Sequence, residues 1–322
     1  MYQCTICGGH FIAVLGKVQA DANKNEGKLI CSRCDDHHPI IGGIPRFVPS
    51  ENYAGSFGYQ WNIHRRTQLD SYTGLPISRN RLFAATGLLE HLEGKRILEA
   101  GSGAGRFTEV LLQTGAEVFS FDFSIAVEAN LINNGEMTNL HLFQGDIYNI
   151  PLRKESFDKV ICLGVLQHTP DPERAFNNLA NYVKPGGELV VDVYKANLFS
   201  WLQWKYLLRP VTKRMNKEKL YKLLELLVPI IIPFSKFIRK FLGRAGARLL
   251  PIVEYSDLGL TPQINREWAI LDTFDMYSPA HDHPQSLKTV KRWFSEVGFS
   301  DTVVHYGQNG IVGKGKKSGE GN

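Results

Sequence analysis

One short segment constrains the fold of this chain more than any other. The run Arg96–Ala100 is predicted to form a strand, and it leads directly into Gly101, Gly103 and Gly105, which precede the helical pattern Phe107–Gln113. Alternating glycines let the backbone turn tightly and let a ligand approach it closely. A strand, a glycine-rich turn and a helix in this order predict a nucleotide-type binding turn at the carboxyl end of the strand.

Two acidic residues distinguish this turn from a dinucleotide site. Asp122 lies 21 residues after Gly101, at the predicted end of the next strand, where a carboxylate can accept hydrogen bonds from two ribose hydroxyls. Glu99 stands two residues before Gly101, where it would repel a pyrophosphate but tolerate an ammonium and a sulfonium. The spacing is also Gly-x-Gly-x-Gly and not Gly-x-Gly-x-x-Gly. The segment therefore favours a cationic nucleoside ligand.

Further short strands follow the turn, with helical stretches between them. Four are predicted, at Glu117–Asp122, Leu140–Phe143, Lys159–Leu163 and Leu189–Val193. Strands that alternate with helices predict βαβ units and a mostly parallel sheet covered on both faces. The predicted fold class is therefore α/β, with a Rossmann-like, mostly parallel sheet and a helical insert after the fifth strand.

Other segments follow in the order found in class I adenosylmethionine-dependent methyltransferases. They are Gln144–Ile147, Asn149–Leu152, Phe157–Val160, Gly164–Asp171 and Val183–Gly187. With the glycine turn they make residues 94–194 resemble that family, especially the branch near the ubiquinone and menaquinone biosynthesis enzymes. In that family the acid at the position of Asp146 contacts the adenine amino group. The resemblance implies that S-adenosyl-L-methionine is held by Glu99, Gly101, Gly103, Gly105, Asp122, Phe123, Asp146, Ile147 and Leu163.

Four cysteines near the N-terminus form two Cys-x-x-Cys pairs. Cys4 and Cys7 are separated by 23 residues from Cys31 and Cys34. Each pair presents two thiolates on one side of a tight turn, so the pairs predict a tetrahedral, structural Zn²⁺ site in a small zinc ribbon. Four unmetallated buried thiols are the alternative. The stretch His38–Phe47 looks like the small zinc-ribbon protein that partners and activates tRNA and other methyltransferases.

Three histidines are candidate general bases. Methyl transfer from a sulfonium is an in-line displacement, in which an enzyme orients the acceptor and can remove its proton. His168 follows the fourth predicted strand, at the edge that would face the cofactor, with a structural role as its alternative. His281 and His283 flank an aspartate in the polar and aromatic segment 272–284, predicted as a loop. Capping roles in a surface loop are their alternative.

The segment after the fifth strand is both basic and apolar. Between Leu198 and Leu250, twelve Lys or Arg and two Glu give +10, which leaves −5 for the rest of a chain whose net charge is +5. The basic character is therefore local. The run Leu223–Phe234 is interrupted by Pro229 and Pro233 and is too short to span a bilayer. A lid on the active site, contact with an anionic membrane surface and contact with RNA are the three interpretations.

These patterns divide the chain into six predicted parts. They are a zinc-ribbon-like module at 1–50, an N-terminal helical cap at 51–93, the Rossmann-like core at 94–197, the basic amphipathic insert at 198–255, the C-terminal part of the methyltransferase domain at 256–314 and a disordered tail at 315–322. No secretory signal is visible at the start. We therefore expect a cytoplasmic location. If the segment 198–250 contacts lipid, the protein would also lie peripherally at the inner membrane surface.

The resemblance implies an S-adenosyl-L-methionine-dependent methyltransferase, and the acceptor is expected to be a small molecule, a glycan or a lipid-linked intermediate. Leu163–Leu166 stands where base N-methyltransferases often carry Asn-Pro-Pro-Tyr, which disfavours methylation of exocyclic nucleobase amines. We expect methylation on oxygen. The alternative is an RNA methyltransferase that holds RNA with the ribbon and the basic insert. Ribosomal RNA guanine methyltransferases also carry an N-terminal zinc module. RNA binding of that kind would depend steeply on salt.

Overall fold

Two sheets organise the part of the chain that the structure describes. A computed structural model describes residues 2–15, 26–87, 90–196, 203–247 and 249–319. Near the N-terminus a small antiparallel sheet contains four strands, and a mostly parallel sheet of seven strands forms the larger domain. Each sheet positions a different candidate site.

The N-terminal module is a meander with very little apolar core. Leu29, Ile40 and Ile44 are its buried aliphatic side chains among the described residues, and Ile44 packs against Val127 and Leu142 of the larger domain. A core this small supplies little stability by itself, so such modules need another source of folding energy. Its strands, which pair in sequence order, are β1 (Phe11–Leu15), β2 (Gly27–Cys31), β3 (His37–Ile41) and β4 (Ile44–Pro45).

The large sheet is doubly wound about its central strand. Its strands are β5 (Arg96–Ala100), β6 (Glu117–Asp122), β7 (Leu140–Gln144), β8 (Phe157–Leu163), β9 (Val183–Val193), β10 (Phe299–Gly307) and β11 (Gly310–Lys317). Their spatial order is β10-β11-β9-β8-β5-β6-β7, with β5 to β9 parallel and β10 and β11 antiparallel. The winding reverses between β5 and β8, and ligands bind at such a switch point outside the carboxyl ends of the strands. The predicted α/β, Rossmann-like fold class is confirmed.

Helices cover both faces of this sheet because side chains alternate along each strand. On β5, Leu98 packs in one cluster with Phe176 and Trp293, whereas the adjacent Ile97 packs on the other face with Leu111. The helices are α1 (Gly55–Ile63), α2 (Asp70–Thr73), α3 (Ile77–Thr86), α4 (Arg106–Leu112), α5 (Val127–Asn134), α6 (Pro172–Ala180), α7 (Trp204–Thr212), α8 (Lys217–Ala247), α9 (Pro262–Tyr277) and α10 (Leu287–Glu296), with a short 3₁₀ helix at Leu166–His168.

The insert after β9 differs from the prediction at its prolines. Pro229 and Pro233 do not break the helix, because both lie inside α8. A proline removes one amide donor from a helix, but burial of the neighbouring Val228 and Ile232 against α9 outweighs that cost here. The non-helical backbone inside α8 is at Gly243, with φ 60° and ψ −155°. Among the helices that the structure describes, none has an apolar stretch long enough to cross a membrane.

Two other predicted segments need correction. The segment 272–284 is not a loop throughout, because α9 continues to Tyr277, where burial of Phe274 and Tyr277 beside α8 outweighs the polar composition. The predicted disordered tail at 315–322 begins too early, because residues 315–317 belong to β11 and strand pairing satisfies their backbone. Residues 320–322 of that tail, and residues 198–202 and 248 of the predicted insert, lie outside the described residues.

Candidate active site

The turn between β5 and α4 can be built only with glycine. Gly101, Gly103 and Gly105 have φ angles of 78°, 53° and 88°, a region that other residues rarely adopt. A Cβ atom on Gly101 would lie 2.2 Å from Cγ2 of Val165, and one on Gly105 would lie 2.2 Å from Oδ1 of Asn130. The glycines are therefore required by the backbone angles and by the closeness of their neighbours.

Glu99 is a buried carboxylate with one free oxygen. Its Oε2 accepts hydrogen bonds from the hydroxyls of Thr108, at 2.5 Å, and Ser120, at 2.8 Å. Its Oε1 is buried and has no hydrogen-bond partner among the described residues. Burial raises the pKa of Glu99 to about 7, against the opposing effect of the two hydroxyls. An unpartnered, buried carboxylate oxygen is costly, and a cationic group would relieve that cost.

Asp122 links the tip of β6 to the glycine turn. Its Oδ2 accepts a hydrogen bond from the backbone amide of Gly103 at 2.9 Å, and its Oδ1 accepts from the amide and hydroxyl of Ser124 at 2.8 and 2.7 Å. Burial raises the pKa of Asp122, against these three donors. The charge of Asp122 also raises the pKa of Glu99, so the two acids act on one region.

An aromatic pair lies beside the predicted nucleoside end of the site. The rings of Tyr53 and Phe123 have centroids 4.7 Å apart and an interplanar angle of 30°. Burial raises the pKa of Tyr53, and the charges of Asp146, Tyr148 and Asp122 raise it further. Asp146 accepts a hydrogen bond from the amide of Tyr148 at 2.9 Å. Sequence reasoning missed Tyr53, because no local pattern brings residue 53 next to strand ends far along the chain.

Ile147 and Leu163, the last two predicted cofactor residues, are buried on opposite faces of the large sheet. Ile147 lies in the cluster beneath α6 and α10, and its carbonyl accepts a hydrogen bond from Asn178 at 2.6 Å. Leu163 lies in the cluster beneath α3 and α4. Their packing explains why both are apolar, and contact with the cofactor stays a prediction for both.

The helix α1 lies over the glycine turn. A Cβ atom on Gly103 would lie 3.2 Å from Cε2 of Trp61. Gly58 approaches the loop after β6 so closely that a Cβ atom there would lie 2.6 Å from Cγ1 of Ile125. Asn62 donates a hydrogen bond to the carbonyl of Ile125 at 3.1 Å. This anchoring places an indole ring at the mouth of the turn.

His168 is buried just beyond the carboxyl end of β8. Its Nδ1 lies 3.1 Å from the carbonyl oxygen of His281, an acceptor, so Nδ1 donates the proton of that hydrogen bond. Its ring centroid is 5.0 Å from that of Phe57 and 5.4 Å from that of Tyr194. Burial lowers the pKa of His168. The imidazole is thus neutral near pH 7, and its Nε2 holds the lone pair that a base needs.

The other two candidate histidines are less enclosed. The ring of His281 is 5.2 Å from that of Tyr53 and 5.8 Å from that of His283. Burial lowers the pKa of His281, and His283 lowers it further. The side chain of His283 is exposed, and its backbone amide donates to the carbonyl of Gln167 at 2.8 Å. His168 and His281 are therefore more enclosed by the protein than His283 is.

A polar cluster that sequence reasoning missed surrounds Tyr194. The Tyr194 hydroxyl donates to Asp275 at 3.4 Å, and the Gln60 amide donates to the other oxygen of Asp275 at 3.3 Å. Lys205 lies 4.5 Å from the Tyr194 ring centroid and pairs with Asp282 at 2.8 Å. Tyr194 follows β9 as His168 follows β8, so the rule that marks strand ends could have found it. The residues on the other elements carry no such signal.

The four N-terminal cysteines are brought together as predicted. Their Sγ atoms all lie within 4.8 Å of one another. Cys7 and Cys31 each accept a backbone N–H···S bond, at 3.4 Å, from the residue two positions later. Such bonds orient the thiols of a Cys-x-x-Cys turn toward a common centre. Cys4, Cys7, Cys31 and Cys34 therefore lie close enough together to hold one metal ion.

The N-terminal module is fixed to the far edge of the large sheet. The amide of Phe47 donates to the carbonyl of Gln144 at 2.9 Å, and the Arg46 guanidinium donates to the side chains of Gln144, at 3.2 Å, and Glu128, at 3.0 Å. A cavity of about 180 Å³ lies at this junction, lined by Asp146 together with Phe47 and other residues of both parts. The two parts therefore meet beside a predicted cofactor residue.

Glu99→Gln should make the stability of the ligand-free protein less dependent on pH. The folded-state pKa of about 7 lies above the ordinary value of 4.5, so the folded state keeps a proton that the unfolded state releases between these values. Wild-type stability should therefore fall as pH rises through that window. Urea denaturation at several pH values in this range measures the slope. The exposed Glu136→Gln is the control, and an unchanged slope in Glu99→Gln would contradict the assignment.

Comparison with known proteins shows that the segment containing the glycine turn resembles methyltransferase domains. Residues 98–191 match the family model described as a methyltransferase domain. The chain is 34% identical over 113 residues to a ubiquinone biosynthesis O-methyltransferase of Coxiella burnetii, covering 34% of this chain and 48% of that protein. It is 32% identical over 148 residues to the protein of that name from Alkalilimnicola ehrlichii, covering 41% and 57%. The chain thus spans about half the length of the curated relatives it matches.

A solved structure was also found. Human N-acetylserotonin methyltransferase in complex with SAM is 15% identical, with a TM-score of 0.45, over 84% of this chain and 60% of that chain. The segment matched by the family model contains the glycine turn, Asp122 and Asp146. Residues 98–191 are therefore similar to methyltransferase domains.

Proposed function

We propose that this protein is an S-adenosyl-L-methionine-dependent methyltransferase. The observation that carries the proposal is the glycine turn flanked by Glu99, with its unpartnered buried oxygen, and by Asp122 at the tip of β6. The turn lies at the switch point of the sheet, where ligands of such folds bind. S-Adenosyl-L-methionine carries a sulfonium, an ammonium and two ribose hydroxyls, and two carboxylates are complementary to these groups.

The residues around the turn would divide the cofactor between them. Glu99 and the backbone of the turn at Gly101, Gly103 and Gly105 would hold the methionyl end. Asp122 would accept from the ribose hydroxyls, since each carboxylate oxygen can accept more than one hydrogen bond. When bound, S-adenosyl-L-methionine supplies an electrophilic methyl group. Asp146 would contact the adenine amino group, with Phe123 and Ile147 beside the ring, and Leu163 is proposed as a further cofactor residue.

Asp122→Asn should weaken cofactor binding. The variant replaces an acceptor that serves both the turn and the ribose, and a hydrogen bond to a charged group contributes about 1.5–3 kcal/mol, so we expect a loss of roughly tenfold to a hundredfold. Isothermal titration with S-adenosylhomocysteine measures this. Asp301→Asn, on the exposed strand β10, is the matched control. No heat of binding with the wild-type protein would overturn the proposed function.

Of the three candidate histidines, we propose His168 as the general base. Its Nδ1 proton is engaged by the carbonyl of His281, and its buried ring stays neutral, so Nε2 is free to take a proton from an acceptor hydroxyl. Tyr194, Asp275 and Gln60 would then orient the acceptor, since the side-chain oxygen Oε1 of Gln60 is buried without a partner among the described residues. His281 would act through His168, and His283 would contribute least.

His168→Asn should lower turnover by about 10²–10⁴-fold while S-adenosylhomocysteine affinity stays unchanged. Burial lowers the pKa of His168 from its ordinary value of 6.5. Wild-type turnover should therefore be independent of pH above neutrality and should fall only below pH 6.5. A coupled assay of S-adenosylhomocysteine release, with catechol as the acceptor probe, measures both. His283→Ala is the matched comparison. A large loss in His283→Ala and none in His168→Asn would reassign the base.

The acceptor we propose is a small molecule, a glycan or a lipid-linked intermediate, methylated on oxygen. The names of the curated relatives, which describe O-methyltransferases, support oxygen as the acceptor atom. Among the described residues, no contact favours the RNA alternative over a small molecule, so we do not propose it. We propose a cytoplasmic enzyme, and a lipid-linked acceptor would bring it to the inner membrane surface through 198–250.

We also propose that Cys4, Cys7, Cys31 and Cys34 hold one structural Zn²⁺. Four thiolates fill a tetrahedral shell and leave no open position, so the ion would stabilise the module and take no part in methyl transfer. Its binding free energy would compensate for the small apolar core. His37 and His38 are not part of the cluster. The Nδ1 atom of His37 contacts the backbone carbonyl of Asp35, and the Nε2 atom of His38 contacts the Asp36 carboxylate.

Cys34→Ser should abolish stoichiometric zinc and destabilise the N-terminal module. Loss of one thiolate leaves the ion three protein ligands, and zinc affinity in such sites supplies roughly 10–16 kcal/mol of folding free energy. Elemental analysis and limited proteolysis measure the two effects. Cys162→Ala, in the buried strand β8, is the control that should retain zinc. A zinc-free wild-type protein with an intact module would contradict the proposal.

A further inference from the structure

The helix α8 exposes a continuous apolar strip. One side of the helix packs on α9 through Leu224, Val228 and Ile232. The exposed apolar strip follows at spacings of three, four and seven residues, which lie on one face of a helix. Its members are Leu223, Leu226, Leu227, Ile230, Phe234, Phe237 and Phe241. Phe234, Phe237 and Phe241 expose 62%, 66% and 67% of their surface. Exposed apolar surface of this extent marks an interaction site.

A row of lysines borders this strip. Lys222, Lys236 and Lys240 are exposed on one helix side, between the apolar strip and the side packed on α9. In the described part of α7, α8 and the connection between them, there are seven exposed basic residues and only two exposed acidic ones, Glu218 and Glu225. The basic residues are Lys213, Arg214, Lys217, Lys219, Lys222, Lys236 and Lys240. The surface therefore complements negative charge beside apolar material.

The helix α7 extends the same character. Trp204, Leu207, Leu208 and Val211 are exposed on it, again three or four residues apart. The Trp204 indole donates a hydrogen bond at 2.9 Å to the carbonyl of Leu249, just after α8. The start of α7 is thus joined to the end of α8.

We infer that the exposed faces of α7 and α8 lie flat on an anionic lipid bilayer. Apolar side chains would enter the boundary between headgroups and acyl chains, and the lysines would meet the lipid phosphates. RNA would leave the apolar strip without a partner, because phosphate contacts are made by charged groups. A second copy of the chain would bring two like-charged lysine rows together. The inference rests on this surface and not on the proposed methyl transfer.

This docking would place the candidate active site one helix away from the lipid. In α9, Phe274 packs in the cluster shared with α8, whereas the adjacent Asp275 bonds Tyr194 and Gln60. If the proposed function holds, an acceptor that partitions into the bilayer would have a short path to the Tyr194 cluster. The acceptor class favoured by this geometry is therefore amphiphilic.

Vesicle flotation of the full, zinc-loaded chain tests the inference. We expect binding to vesicles of equal parts phosphatidylglycerol and phosphatidylcholine, and much weaker binding to phosphatidylcholine alone. Phe234→Glu/Phe237→Glu should lower affinity for the anionic vesicles at least about tenfold, since it removes two large apolar side chains from the boundary. Ile132→Glu, equally exposed at 61% on α5, is the matched control and should bind as the wild type does.

A second variant separates charge from apolar contact. Lys236→Gln/Lys240→Gln should weaken binding to anionic vesicles severalfold and leave binding to phosphatidylcholine unchanged. Far-ultraviolet circular dichroism and S-adenosylhomocysteine titration check that each variant is folded. No flotation of the wild type at low salt would overturn the inference. Two other results would also overturn it, each in the absence of vesicle binding. One is a dimer, detected by light scattering, that the phenylalanine variant abolishes. The other is RNA binding that the same variant abolishes. Failed flotation with intact cofactor binding would leave the proposed function standing.

Discussion

The hydrogen bond from the backbone amide of Gly103 to the Asp122 carboxylate is the contact on which the site depends. It joins the turn after β5 to the tip of β6, and the amides of Gly101 and Ser102 strengthen the junction by donating to the carbonyl of Phe121 at 2.8 and 3.0 Å. The ends of two parallel strands are thereby fixed where the winding of the sheet reverses. Beneath the turn, the Oε2 atom of Glu99 and the side-chain amide of Asn130 are hydrogen-bonded to the hydroxyls of Thr108 and Ser120. A ligand therefore meets a backbone that is already in place.

The parts of the fold that the sequence predicts are those governed by local pattern. The strands β5 and β6 match their predicted bounds, because buried parallel strands are short apolar runs between turn residues. The cysteine pairs and the glycine turn are equally local. Pro229 and Phe274 are different. The low helix preference of proline argues against a helix at Pro229, and the polar composition of the segment argues against one at Phe274. The contact between α8 and α9 stabilises both helices at these positions. No window of sequence contains that contact.

The same reason explains which site residues escaped prediction. Tyr194 follows β9 and Asp275 belongs to α9, so their side chains meet each other and Gln60 of α1 only in the folded domain. His168 is a candidate because it follows a strand end, but the tautomer that favours our proposal of it as the base depends on a carbonyl of residue 281. The roles of individual side chains thus follow from tertiary contacts, whereas the location of the site follows from topology.

The attachment of Arg46 and Phe47 to Gln144 has a further consequence. The strand β7 is the last strand of the large sheet on its side, and an outer strand presents unpaired amides and carbonyls that can recruit a strand from another molecule. The N-terminal segment occupies the carboxyl end of this outer strand with a parallel bridge and a backbone hydrogen bond. Besides carrying four thiols, the N-terminal module thus covers the carboxyl end of this edge strand and hinders the addition of a strand from another molecule there.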